Sequence, residues 1–146
     1  MSIWRDPPTA EELTERGGAS LAGHLGIRIS ALGPDFLQAT MPVEARTHQP
    51  YGVLHGGASV ALAETAGSIA SMLCIAPGEV ALGQEINANH LRAVSAGLVT
   101  ATARPFHLGR RSHVWHIEIH DEAQRLVCVA RLTVAILPRR PEGTSP

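Results

Sequence analysis

One carboxylate stands out by its setting. Glu64 lies in Gly57-Ala58-Ser59-Val60-Ala61-Leu62-Ala63-Glu64-Thr65-Ala66-Gly67-Ser68, a stretch otherwise built of small and apolar residues. Glutamate is among the residue types least often buried without a partner, so this placement signals chemistry. Eight positions earlier the chain reads His55-Gly56-Gly57. If a helix begins there, the Gly56 and Gly57 amides lack intrahelical acceptors and carry the positive end of the helix dipole. Two glycines let an oxygen atom approach that backbone closely, which makes a site able to polarise a carbonyl or hold an oxyanion.

Eight helical residues span about 12 Å, too far for both groups to act on one carbonyl from a single helix. Either the two features are unrelated, or Glu64 meets the Gly56 amide of a symmetry-related antiparallel helix. A two-fold dimer would then hold two composite sites. Ser68 follows Glu64 by four residues and shares its helix face, placed to hold a water or steer the carboxylate. Gln49 and His55 precede the helix, placed to orient a substrate carbonyl or the Gly56 peptide; His55 reads equally well as a loop anchor.

Other reactive residue types fit chemistry poorly. Ser59, in Gly57-Ala58-Ser59-Val60-Ala61, lacks the second glycine and the strand-to-helix turn of a nucleophile elbow. Cys74 and Cys128 lie in apolar runs and read as inert buried thiols rather than a disulfide framework. His116 and His120 share a strand face but would stand about 13 Å apart, too far to share one metal ion. His113 points to the other face, and no metal site is expected.

The elements that must position these groups follow from local pattern. Thr9-Ala10-Glu11-Glu12 reads as a capping box opening a short helix to about Arg16, stopped by Gly17 and Gly18. Leu25–Ile29 and Phe36–Met41 read as strands joined by a turn at Gly33-Pro34-Asp35. A polar loop, 42–50, leads to the central helix, which Pro77-Gly78 ends near Ile75. The rest reads as strand: Val80–Val94, Leu98–Ala103 before Pro105, His113–His120 with Trp115, Ile117 and Ile119 on one face, and Leu126–Leu137. The tail from Pro138 reads as disordered.

The bulk numbers suit one domain over residues 1–137. A chain of 146 residues with a net charge of -1 carries no footprint for nucleic acid or an anionic membrane. Its N-terminus has no apolar leader core, so a cytoplasmic protein is expected. One long helix cannot cover both faces of a sheet with strands of about 10–12 residues. The expectation is an α+β fold, an antiparallel sheet curled round one central helix, with an edge or face completed by a second subunit.

Together with Gln49, the stretches Ala39–Val43, Leu54–Glu64, Glu85–His90, His107–Gly109 and Arg131–Thr133 resemble the hotdog-fold acyl-CoA thioesterases. The likeness is to the PaaI-like branch, with the Arthrobacter-type 4-hydroxybenzoyl-CoA thioesterases. Within it, the likeness extends to the enzymes hydrolysing 1,4-dihydroxy-2-naphthoyl-CoA and to the proofreading thioesterases of enterobactin synthesis. It covers nearly all of residues 3–137. The resemblance implies a dimer of dimers that hydrolyses acyl-CoA or acyl-carrier thioesters without metal or organic cofactor, with a naphthoyl-CoA of menaquinone biosynthesis as the first candidate.

Carried onto this chain, it makes Glu64 the catalytic carboxylate, as nucleophile or as general base on water. The Gly56 amide polarises the thioester carbonyl, Gln49 and His55 assist from the facing subunit, and Ser68 supports hydrolysis. The CoA-contacting positions are His90, Arg92, His107, Gly109 and Arg111. Arginines at strand ends (Arg92, Arg110, Arg111) suit the phosphates of CoA. Arg110 stands where the resemblance leads one to expect a small serine, Ser112 replaces a bulkier residue, and Gln84 an apolar one, so the phosphate contacts and pocket differ locally.

Two rival readings remain. A hotdog dehydratase would use His55 with Glu64, but the usual catalytic aspartate pattern is missing. A non-catalytic acyl-CoA-binding module would bind without turnover.

Overall fold

The computed structural model describes residues 2–140. Its elements are α1 (Ala10–Arg16), α2 (Leu21–His24), β1 (Arg28–Leu32), β2 (Leu37–Val43), a 3-10 turn (Ala45–Thr47), α3 (Gly56–Met72), β3 (Glu79–His90), β4 (Gly97–Leu108), β5 (Ser112–Asp121) and β6 (Leu126–Pro138). The six strands form one antiparallel sheet in the order β1-β2-β4-β5-β6-β3. The long helix α3 lies across it, as the pattern of one helix and long late strands requires.

Helix α3 packs closely because its inward rows are small. Two rows at four-residue spacing, Ala58-Leu62-Ala66-Ala70 and Ser59-Ala63-Gly67-Ser71, are buried. At Gly67 the approach is close: a methyl group there would stand 2.7 Å from Leu132 Cδ2. Beneath the helix, the inward residues of β2, β4, β5 and β6 (Leu37, Met41, Val99, Trp115, Ile117, Leu132) are fully buried. The opposite row, Glu64-Ser68-Met72, is left partly open.

Several boundaries differ from the local reading. The first strand starts at Arg28 rather than Leu25, because Leu25 caps the unforeseen α2 and Gly26 turns the chain with φ +70°. Helix α3 ends at Met72, short of Ile75; the carbonyls just past its end are taken by the N-terminal arm, where the Arg5 amide donates to Leu73 O (2.8 Å) and Arg5 Nε to Cys74 O (3.0 Å). Strand β4 runs through Pro105 to Leu108, since a bulge between Pro105 and His107 shifts the register beside the residue that cannot donate. The capping box of Thr9 and Glu12 forms as read. Pro138 closes β6, and the Arg139 amide donates to Gly78 O. Residues 141–146 of the expected tail lie outside the described residues.

The two sheet edges are managed differently. On β1 the Ile29 amide donates to Thr14 Oγ1 of α1 (2.9 Å). The outer edge of β3 pairs with no strand among the described residues, although it is twelve residues long and carries exposed Leu82. A long unpaired edge is a template for another strand. No helix among the described residues is long and apolar enough to cross a membrane.

Candidate active site

His55 is the N-cap of α3. Its Nδ1 accepts from the Gly57 amide (2.8 Å), and its carbonyl accepts from Ala58 (2.9 Å) and Ser59 (3.2 Å). Of the first four amides of the helix, only that of Gly56 finds no acceptor among the described residues. The imidazole is thus engaged in shaping the turn, which isolates one free donor. The loop before it is pinned by Leu54 N to Val94 O (2.7 Å) and His55 N to Thr47 O (2.8 Å). Gln49 Oε1 accepts from the Tyr51 amide.

Gly56, Gln49, His90 and Arg92 line one recess of about 360 Å³. A methyl group on Gly56 would stand 2.7 Å from His90 Nε2, so the imidazole lies directly beside Gly56. Glu64 is elsewhere. With Ser68 it lines a separate, mostly apolar hollow of about 410 Å³, walled by Leu13, Leu21 and Met72. Its carboxylate lies over β3, where a methyl group at Gly83 would meet Oε1 at 2.6 Å. Glu64 makes no hydrogen bond or ion pair among the described residues; it is half-buried and uncommitted.

The positions matched to CoA contacts fall into two places. His90 and Arg92 stand with Gly56, whereas Gly109 and Arg111 line a third cavity, of about 850 Å³, on the β4–β5 hairpin. His107 lies against Gly109. Within one chain, therefore, Gln49, Gly56, His90 and Arg92 come together, Glu64 and Ser68 come together, and the two groups remain apart. Gln84 and Arg110 line the hairpin cavity as well. On the other sheet face, His116 (3.1 Å) and His120 (3.8 Å) both reach Glu118, their carboxylate neighbour on the same strand.

Local pattern did not foresee a buried polar link at the far end of α3. Trp115 Nε1 donates to Ser71 Oγ (2.7 Å), which directs the Ser71 hydroxyl to His113 Nδ1 (3.2 Å). Burial, reinforced by nearby His107, pushes the His113 pKa below the usual histidine value, against the smaller opposing effects of Glu79 and the Gly109 backbone. The folded ring is therefore neutral at pH 7, while the unfolded one takes up a proton as pH falls through about 6.5. Stability is lost on acidification through that window. Thermal melts at pH 7.5 and 5.5 are expected to differ less for His113→Gln than for the parent chain. In the same cavity, burial raises the Cys74 thiol to about 11, so it supplies no nucleophile.

A six-stranded antiparallel sheet round one long central helix is the hotdog architecture. The family model of the thioesterase superfamily matches residues 51–128, and the chain belongs to that family. It is 51% identical to the 1,4-dihydroxy-2-naphthoyl-CoA hydrolase of Escherichia coli K12, over 92% of this chain and 99% of that one. It is 50% identical to the proofreading thioesterase EntH of Cronobacter turicensis, over 92% and 98% respectively. The crystal structure of a thioesterase from Haemophilus influenzae superposes with a TM-score of 0.93 at 50% identity, covering 97% of this chain and 99% of that one. The protein is a thioesterase, and acyl-CoA hydrolysis is the activity its family supports.

Proposed function

We propose that this chain is a cytoplasmic thioesterase acting on an aryl- or acyl-CoA, with 1,4-dihydroxy-2-naphthoyl-CoA as the first substrate to test, and that each active site is shared between two subunits. The observation that carries the shared site is the separation of the uncommitted Glu64 carboxylate from the free Gly56 amide within one chain. Pairing of the open β3 edges about a two-fold axis would lay two α3 helices antiparallel, bringing Glu64 of one protomer toward Gly56 of its partner. Two such dimers associate into a tetramer.

In this reading the thioester carbonyl oxygen accepts from the Gly56 amide, where the helix dipole favours the developing negative charge. Glu64 attacks the carbonyl carbon, or takes a proton from the water that does. Ser68, one turn on, holds the water or the carboxylate. The carbon–sulfur bond breaks, the thiolate leaves and is protonated, and water supplies the hydroxyl of the product acid. Gln49, His55 and His90 shape the amide end of the site.

The experiment is complementation between inactive chains. Glu64→Ala and Gly56→Val are each expected to lose turnover. Co-refolded in equal amounts, half of the dimers would be mixed, and each mixed dimer would hold one intact site of two, giving roughly a quarter of the parent rate. No recovery in verified mixed dimers would overturn the shared site.

A further inference from the structure

The cavity under the β4–β5 hairpin is lined by three arginines from two distant parts of the sequence: Arg110 and Arg111 on the hairpin, and Arg5 on the N-terminal arm. None of the three makes an ion pair among the described residues, whereas Arg46, Arg104 and Arg125 are each paired with a carboxylate. The one acidic lining residue, Glu79, has its Oε2 occupied by the Ala76 amide (2.8 Å). Three arginines and one partly used carboxylate thus line a cavity of about 850 Å³, a volume suited to a nucleotide-sized ligand.

Arg5 is built into place. The Ile3 amide donates to Pro34 O (3.0 Å), Trp4 Nε1 donates to Gly33 O (2.6 Å), and the Trp4 ring stacks on Trp115 at 6.3 Å. The Arg5 amide and Nε are bound to the carbonyls of Leu73 and Cys74. Anchoring through Nε orients the planar fork and leaves both terminal amino groups without acceptors among the described residues. A guanidinium presented in this way suits the bidentate recognition of phosphate.

We propose that Arg5 is a phosphate-binding residue of the thioesterase, so that the N-terminal arm, with Arg110 and Arg111, completes the site for the nucleotide phosphates of the CoA thioester. The proposal rests on the acyl-CoA reading above and adds to it a residue outside the segment matched by the family. Arg110, an arginine where a small residue was expected, then joins the same charge cluster. The pantetheine end, which carries no phosphate in pantetheine itself, does not depend on the arm.

The test uses the full chain with one acyl group presented as its CoA thioester and as its pantetheine thioester. For Arg5→Met, the ratio of kcat/KM between the CoA and pantetheine substrates is expected to fall about tenfold, the scale of one charge-assisted hydrogen bond, with the loss carried by KM. Arg5→Lys is expected to restore part of it. A ratio equal to that of the parent chain would overturn the proposal, because damage to the arm as structure lowers both substrates alike. Parent enzyme that hydrolyses neither thioester would sink the thioesterase reading itself. Independently of any variant, CoA but not pantetheine is expected to slow phenylglyoxal modification of Arg5, followed by mass spectrometry of the N-terminal peptide. Equal labelling with and without CoA would overturn the assignment.

Discussion

Glu64→Ala is expected to lower kcat by about three to four orders of magnitude, roughly 4–5.5 kcal/mol of transition-state stabilisation, as expected for loss of a nucleophile or general base. The fold should tolerate it. Glu64 is half-buried, makes no hydrogen bond among the described residues, and stands on a helix whose buried rows are elsewhere. Removing the side chain leaves no buried partner stranded. The expected melting temperature therefore stays within a few degrees of the parent value. Glu64→Asp is informative because it keeps the charge but withdraws it by one methylene; a misplacement of about 1 Å costs on the order of a hundredfold. Release of free thiol from a CoA thioester, read with a chromogenic disulfide, checks all three chains. A folded Glu64→Ala protein with parental turnover would refute the mechanism.

The second large effect concerns stability. Trp115 is the largest fully buried side chain, seated under Gly67 where helix and sheet lie close together. Trp115→Ala is expected to cost about 4 kcal/mol, within the range for deleting a large core side chain. Part of that loss is polar, because Ser71 Oγ loses the indole donor that directs its hydroxyl to His113. For a chain of this size the expected fall in melting temperature is about 10–15 °C. Trp115→Phe keeps much of the volume without the donor and should cost less. Differential scanning calorimetry on the three proteins measures both steps; a Trp115→Ala chain melting with the parent would contradict the packing described. The same substitution also removes the ring on which Trp4 stacks, so release of the arm should accompany it.

Local pattern carried a good deal of this fold. Thr9 and Glu12 announced α1 because a capping box is closed by residues three apart. The alternation of β5 was visible because it buries only one face, with Trp115, Ile117 and Ile119 inward. Pro105 misled about β4, since a bulge right beside it, between Pro105 and His107, carries the strand past the missing donor. Leu25–Ile29 misled for a related reason: α2 is a single turn with no side-chain cap, and Leu25 ends it. The stop of α3 at Met72 was hidden because Arg5, nearly seventy residues away, supplies the donors there.

The site divides along the same line. Sequence by itself singled out Glu64, Gly56, His55 and Ser68, since a lone carboxylate in an apolar helix and a glycine pair at its start are unusual wherever they fold. The helix rise of about 1.5 Å per residue already separated the carboxylate from its own Gly56 amide. What tertiary structure decided is which distant residues share a space. It set His90 against Gly56, Gly83 beneath Glu64, Ser71 and His113 behind Trp115, and Arg5 beside Arg110 and Arg111. None of these pairings has a period or a spacing, because each arises from strand order and from an arm crossing the end of a helix. Contacts between elements distant in sequence are fixed by how those elements pack, and packing is a property of the whole chain.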